Sequence, residues 1–440
     1  MEVNKYLNTI AFYTLGCKVN QYETEAISEL FENNGFRVVD FEEAADVYVI
    51  NTCTVTNVSD RKSRQIIKKA RKLSPDACIV VVGCYAQVYP EELKKFKDID
   101  IIVGTKNRSK IVELVIDFLN NKNKIVKVDE GYKREQFEDL KISKFSERTR
   151  AFVKIQEGCE QFCSYCIIPY ARGSVVSRKL ESIVDEINRL VYNGFKEIVL
   201  TGINVSSYGK DFGYNIKLID VIETVSRIEG VKRLRLSSIE PFIFTEQFIQ
   251  RITELENVCH HFHISLQSGS NSVLQRMNRH YTTEEYKTIV DKLRNKWPDV
   301  AITTDIIVGF PGETEKEFLE TYNFVRDIGF SRIHVFRFSP KKGTKAFEMP
   351  AQISSEIKEK RSNALKLLAD DLSFKFHNQF LDKELDVLFE QESKDIKGYI
   401  EGYSNNYIRV LCKNNGIDLG EIKKVKITEV KPHWVIGRII

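Results

Sequence analysis

Gly158-Cys159-Glu160-Gln161-Phe162-Cys163-Ser164-Tyr165-Cys166 sets three cysteines in a CxxxCxxC spacing, tight enough for three thiolates to fold round one metal centre. A [4Fe-4S] cube has four irons and is usually closed by four thiolates, so three leave one iron without a protein ligand. An open metal position is what a catalytic site keeps and a structural site fills. Its natural occupant here is a small molecule able to chelate iron. Two other readings compete. Structural zinc asks for pairs of CxxC and a fourth ligand nearby, and residues 167–200 offer neither Cys nor His. A disulfide suits an oxidising compartment, and the chain has no secretory features.

The cysteines follow an apolar run at 151–156, and from there to about 339 the pattern repeats as strand, turn, helix. Strands are expected at 151–156, 197–200, 232–236, 262–266, 301–307 and 332–338. Units of this kind predict a partial βα barrel whose site lies in the loops at the C-terminal strand ends. Cys159, Cys163 and Cys166 stand just after the first strand, where that site belongs.

With Tyr165 immediately before the last cysteine, the stretch resembles the hallmark of the radical S-adenosylmethionine (SAM) superfamily. The resemblance implies that the amino and carboxylate groups of SAM chelate the open iron, and that one electron splits SAM to give a 5′-deoxyadenosyl radical. It also implies SAM contacts at the later strand ends. Thr201, Gly202 and Asn204 follow the second strand where many members read GGE-like, Gly202 being the match. Ser237 and Glu240 follow the third, with Glu240 an acceptor for ribose hydroxyls. His263 and Gln267 flank the fourth, in HISLQSGS, and a structural or substrate-orienting role suits a histidine in a strand. Arg276 and Arg279 are candidates for the SAM carboxylate or a phosphate. Asp305 and Gly309 mark the fifth strand end, where Gly309 and Gly312 permit a tight turn beside adenine and Thr314 is placed to cap the next helix.

Residues 1–125 repeat the strand, turn, helix unit on a smaller scale, with strands at 10–15, 47–50, 79–82 and 101–103, so a small parallel sheet with helices on its faces is expected. Asn20 followed by Glu23 reads as a helix start. Cys17, Cys53 and Cys84 each follow a strand, and loops after the strands of an open parallel sheet line one edge. They make a second three-cysteine set, against the alternative of three packing cysteines. Cys78 sits at the opposite strand end and is expected in the core. Residues 61–72, RKSRQIIKKARK, carry seven basic side chains, read either as a solvated helix face or as a phosphate contact. Residues 122–148 read as a linker.

Two three-cysteine sets in this order make the chain similar, over nearly its whole length, to the methylthiotransferase family. In that family the upstream set, matched by Cys17, Cys53 and Cys84, holds a second [4Fe-4S] cluster involved in sulfur delivery. GCKVNQYE (16–23) most resembles the branch acting on C2 of threonylcarbamoyladenosine (t6A) at position 37, in the anticodon loop of tRNA. Beyond a helix at about 355–380, residues 381–440 are short β-rich runs that match a compact antiparallel barrel of the oligonucleotide-binding kind and resemble the TRAM RNA-binding domain. From Tyr403 onward seven basic and three acidic residues interleave with Tyr407 and Trp434, a mix suited to phosphate contact and base stacking. The expected α/β architecture is thus an N-terminal domain over 1–125, a partial (βα)6 barrel over 145–375 and a TRAM domain over 376–440.

A net charge of only +4 assigns any nucleic-acid contact to local patches. The opening MEVNKYLNTIAFYTLGC has an acid early and no long apolar region, so neither a signal peptide nor a membrane span is expected and a cytoplasmic place follows. The sequence identifies neither the sulfur donor nor the electron-donor protein. The same chemistry on another adenosine, such as isopentenyladenosine, or on a ribosomal protein aspartate is the nearest alternative. A metal-cluster RNA-binding protein without turnover is the alternative of another class.

Overall fold

Apolar runs in the N-terminal third pair as β1 (Asn8–Thr14), β2 (Phe36–Val39), β3 (Val47–Thr52), β4 (Cys78–Gly83), β5 (Ile101–Val103) and β6 (Ile125–Lys127), one parallel sheet in the order β2-β1-β3-β4-β5-β6. This is a computed structural model describing residues 8–142, 149–213 and 215–440. β3 and β4 are buried at every position, as central strands covered on both faces must be. Helices Lys18–Asn33 and Ile111–Asn121 close one face with Ile27, Phe31, Val115 and Phe118, and helix Asn57–Leu73 closes the other with Ile67 and Ala70.

Three expectations are corrected here. β2 is an extra edge strand whose four residues, FRVV, are too few for periodicity to announce. The stretch read as a linker supplies β6, which pairs with β5, and then buries Arg134, Leu140 and Ile142. Asn20 is no helix cap: the helix begins at Lys18 after Cys17, and the Asn20 amide instead donates to the Leu15 and Thr52 carbonyls. Backbone carbonyls left at the ends of β1 and β3 need donors, and that demand overrides the local capping pattern.

The described residues fall into two units, one of 1–143, 156–178 and 339–347, the other of 144–155, 179–338 and 348–440. In the second, β7 (Arg150–Glu157) as far as residue 155, β9 (Glu197–Gly202) and β10 (Arg233–Leu236) lie in the order β10-β9-β7, while β11 (His261–His263), β12 (Ala301–Val308) and β13 (Arg332–Arg337) form a parallel three-stranded sheet. Bridges Leu234↔Val258 and Ile239↔Ile264 join the two arcs, giving the six-stranded partial barrel expected. The two-residue β8 (Val176–Ser177) pairs antiparallel with Gln156 and Glu157 in the first unit.

After helix Ser355–Asn378, strands β14 (Glu384–Glu392), β15 (Tyr399–Ser404), β16 (Arg409–Lys413), β17 (Ile422–Val430) and β18 (Val435–Ile439) close a barrel in the order β14-β15-β16-β18-β17. Its pairings are antiparallel except β16 with β18. Val387, Phe389, Val410 and Val435 fill it, and Cys412 lies in that core as expected. Arg233 and Arg235 of β10 donate to the carbonyls of Tyr403, Asp386, Asn405 and Ser404. Tyr407 is stacked with His261 (4.5 Å) and Tyr403 (4.8 Å), with the Arg235 guanidinium 4.7 Å from its ring centroid. The ring expected to stack on RNA bases is therefore engaged within the unit.

Arg235 Nε donates to Glu197 at 2.7 Å, with both side chains buried. Burial pushes the Glu197 carboxyl up, but Arg235 and Arg150 outweigh it and hold the group at about 2 against the ordinary 4.5. A depressed carboxyl contributes stability that is fully present above the unfolded value and lost as pH falls. The denaturant midpoint of this unit should therefore fall between pH 4.5 and about 2, and Glu197→Gln should flatten that acid arm. Among the described residues no helix is long and apolar enough to cross a membrane.

Candidate active site

Cys17, Cys53 and Cys84 follow β1, β3 and β4 on one edge of the first sheet. The backbone there is shaped for close approach. Gly16 has φ +114°, and a Cβ on it would lie 2.8 Å from the Cys53 Cβ and 3.3 Å from its sulfur. Such a conformation and such a gap are open only to glycine, so residue 16 brings the first two loops into contact. Burial raises the Cys53 thiol and pushes Cys84 up to about 12, against the pull of Arg172. Cys78, at the other end of β4, is fully buried in the core as expected.

The CxxxCxxC loop belongs to the same unit. Gly158 (φ +77°) enters it, where a Cβ would lie 1.9 Å from the Ser174 carbonyl oxygen. The Cys159 N–H donates to Gly173 O (3.0 Å), the Cys166 N–H to Cys163 O (2.9 Å), and Ser164 O accepts from the Ala346 N–H (2.7 Å). Phe162 adopts φ +46°, a left-handed conformation that costs a non-glycine residue about 1–3 kcal/mol and persists where the surroundings enforce it. Its ring, with centroids 5.4 Å from Tyr132 and 6.1 Å from Tyr170, is part of that enforcement. Among the described residues no disulfide joins any of the cysteines.

Beneath the upstream loops lies a buried ionic network that sequence reading missed. Arg172 Nη1 donates to Glu23 and Glu157 (both 2.6 Å), Nη2 to Asn20 Oδ1 (2.6 Å) and Nε to Cys84 Sγ (3.1 Å). Arg108 pairs with Glu23, Glu138 (2.9 Å) and Glu157 (3.0 Å). Arg108, Arg172, Glu23 and Glu157 have no exposed surface. The available signal was charge inside apolar runs, Glu157 ending AFVKIQE and Arg172 ending IIPYAR.

In the second unit Thr201 and Gly202 end β9, Asn204 and Ser237 are buried just past the β9 and β10 ends, and the Glu240 N–H donates to Ser206 Oγ (2.9 Å). Glu240 accepts from Arg279 (Nη1, 3.2 Å), while Arg276 is held apart by Glu317 (2.8 and 3.0 Å). That bond to Arg276 pulls the Glu317 carboxyl down to about 2. Gln267, at φ +71°, bridges to β12, its N–H donating to Asp305 O (2.9 Å). Gly309 (φ +71°) donates its N–H to Glu313 (2.7 Å), and Thr314 caps the next helix in a capping box with Glu317, as expected. The His263 Nε2 lies 3.3 Å from Asp305 Oδ2 and its Nδ1 3.0 Å from Thr303 Oγ1. His263, Asp305 and His334, the last not singled out by sequence reading, each place one ligand atom within 4.8 Å of the other two. Such a set can take a cation or orient a polar group.

The donor sets suit iron-sulfur clusters. Each offers three thiols, with glycines of positive φ just before Cys17, Cys84 and Cys159, and the upstream set has a charged N–H aimed at the Cys84 sulfur, the kind of contact that such clusters use.

Residues 9–104 match the model of the uncharacterized protein family UPF0004 and residues 153–325 that of the Radical SAM superfamily. The threonylcarbamoyladenosine tRNA methylthiotransferase MtaB of Bacillus subtilis (strain 168) is 45% identical over 98% of this chain and 96% of its own length. That of Thermotoga maritima is 38% identical over 98% of this chain and 97% of its own. The tRNA-2-methylthio-N(6)-dimethylallyladenosine synthase of Caldicellulosiruptor saccharolyticus is 37% identical over 98% and 92%. The structure of the radical S-adenosylmethionine methyltransferase TsrM from Kitasatospora setae, at 16% identity and TM-score 0.54 over 75% of this chain and 74% of that one, is alike in fold.

Proposed function

The chain belongs to the radical SAM methylthiotransferases, and from that premise we propose that it places a methylthio group on C2 of t6A at position 37 in the anticodon loop of tRNA, in the cytoplasm. The observation that carries the substrate is the near full-length likeness to proteins named for threonylcarbamoyladenosine, 45% in the nearer of the two described against 37% for the dimethylallyladenosine enzyme. Membership of an enzyme family sets aside the alternative of a metal-cluster RNA-binding protein without turnover.

C2 of adenine is an aromatic carbon without an acidic proton. When bound, the two [4Fe-4S] clusters and SAM supply a carbon-centred radical and the sulfur that is inserted. The chain's part is to hold them. Cys159, Cys163 and Cys166 leave one iron for SAM, with Tyr165 beside the last ligand, and Cys17, Cys53 and Cys84 hold the second cluster. Thr201, Gly202, Asn204, Ser237, Glu240, Gln267, Asp305 and Gly309 seat the nucleoside of SAM, with Arg276 or Arg279 meeting the carboxylate of its methionine part or a phosphate. His263 orients the substrate. Segments 1–125, 145–375 and 376–440 divide these tasks as sulfur delivery, radical generation and RNA binding. What supports this assignment is the polar character of the strand ends and the order of the two cysteine sets.

The test is mass spectrometry of nucleosides from total tRNA of cells lacking the protein. Methylthiolated t6A should vanish while methylthiolated isopentenyladenosine persists. Unchanged methylthiolated t6A rejects the substrate.

The basic helix gives a second measurement. Arg64 and Arg71 are committed to Glu92 and Asp100, whereas Arg61, Lys62, Lys68 and Lys72 are exposed. Replacing those four by alanine should weaken tRNA binding and reduce the slope of log K against log salt by roughly 3, at ~0.7–0.9 for each phosphate no longer neutralised. An unchanged slope makes them a solvated face.

A further inference from the structure

We infer that Arg172 is a positioning residue of the upstream cluster, holding Cys84 by its sulfur and raising the reduction potential of the iron-sulfur centre there. The inference rests on the reading that Cys17, Cys53 and Cys84 bind a cluster.

A guanidinium is planar, with five N–H donors in fixed directions. Arg172 spends Nη1 on Glu23 and Glu157 and Nη2 on Asn20 and Glu23. These bonds fix the plane, so the Nε–H that reaches Cys84 Sγ at 3.1 Å is an oriented donor and not one rotamer among several. Asn20, whose Oδ1 receives Arg172, lies 3.8 Å from Cys17 Sγ through that same oxygen and donates to the Thr52 carbonyl just before Cys53. One network therefore reaches all three ligand loops. Its cation enters from helix Ile168–Arg172, directly after the CxxxCxxC loop, and the next residue, Gly173, takes the Cys159 N–H. The two cysteine sets thus share one anchor within a single unit.

An ionic role for Arg172 would be met by its two glutamates alone, and leaves the bond to sulfur unexplained. Hydrogen bonds to cluster sulfurs and nearby positive charge favour the reduced, more negative state. Arg172 has no exposed surface and Cys84 is buried, so the field between them is little screened. Removing the donor should make the cluster harder to reduce.

The test uses the full-length chain carrying Cys159→Ala, Cys163→Ala and Cys166→Ala, so that only the upstream cluster is reconstituted, with its midpoint read by electron paramagnetic resonance during redox titration. Arg172→Gln is expected to lower the reduced-to-oxidised ratio at fixed potential about tenfold, which is ~59 mV for a one-electron couple. Arg172→Lys, which keeps charge but loses the fork, should fall between. Equal midpoints and equal iron in both variants overturn the proposal. Should the variants fail to fold, arginine labelled with nitrogen-15 in the Arg172-containing protein decides. A nitrogen coupling to the reduced cluster supports the bond, and its absence overturns it. If this protein binds no iron, the cluster reading and the proposal fall together, an outcome distinct from a cluster whose potential ignores Arg172.

Discussion

Cys159→Ala is expected to take 5′-deoxyadenosine formation to the level of cluster-free protein, whereas Cys84→Ala should leave SAM cleavage and stop methylthio insertion. The two cysteine sets lie on different loops of one unit, Cys159 held through the Gly173 carbonyl and Cys84 through Arg172. On the proposed ligand set, loss of Cys159 would leave two thiolates for a cube that already has one open iron, and residues 163 and 166 alone would not hold it for SAM. Loss of Cys84 would remove a proposed ligand of the other centre and leave Cys159, Cys163 and Cys166 in place for SAM cleavage. Anaerobic turnover with dithionite, SAM and t6A-containing tRNA, followed by chromatography of both products, separates the cases. If Cys84→Ala also abolished 5′-deoxyadenosine, the division of labour between the sets would be wrong.

Arg108→Ala is expected to cost about 3–5 kcal/mol, the range for removing one partner from a buried ion pair. Arg108 touches Glu23, Glu138 and Glu157, and the truncation leaves two fully buried carboxylates sharing Arg172, with Arg134 3.9 Å from Glu157. Since Glu23 and Glu157 also hold Arg172, the damage should reach the Cys84 loop, and iron content should fall with stability. Hydrogen exchange of the first sheet in urea reads the first effect and metal analysis the second. A loss within about ±0.5 kcal/mol, ordinary for surface positions, would show that water reaches these carboxylates after the truncation.

Local order along the chain carried most of the architecture. Apolar strands such as VYVINT and CIVVVG announce themselves by composition, Thr314 and Glu317 spell their capping box, and CxxxCxxC sets three thiols on one loop, because each depends on neighbours a few residues away. The shared edge of the upstream cysteines was legible for a related reason: strand ends of a parallel sheet line one side, so equivalent positions in successive units converge. Other features were written only in space. β2 and β6 are strands because an edge was open beside them. Asn20 left its capping pattern for the carbonyls of Leu15 and Thr52, and Tyr407 gave its ring to His261 and Tyr403. Arg108 and Arg172 look in sequence like any surface arginine. Only tertiary structure decides that they are buried, since the glutamates that make burial tolerable come from segments more than a hundred residues apart, Glu23 and Glu157, and a charge survives out of water only where such partners meet it.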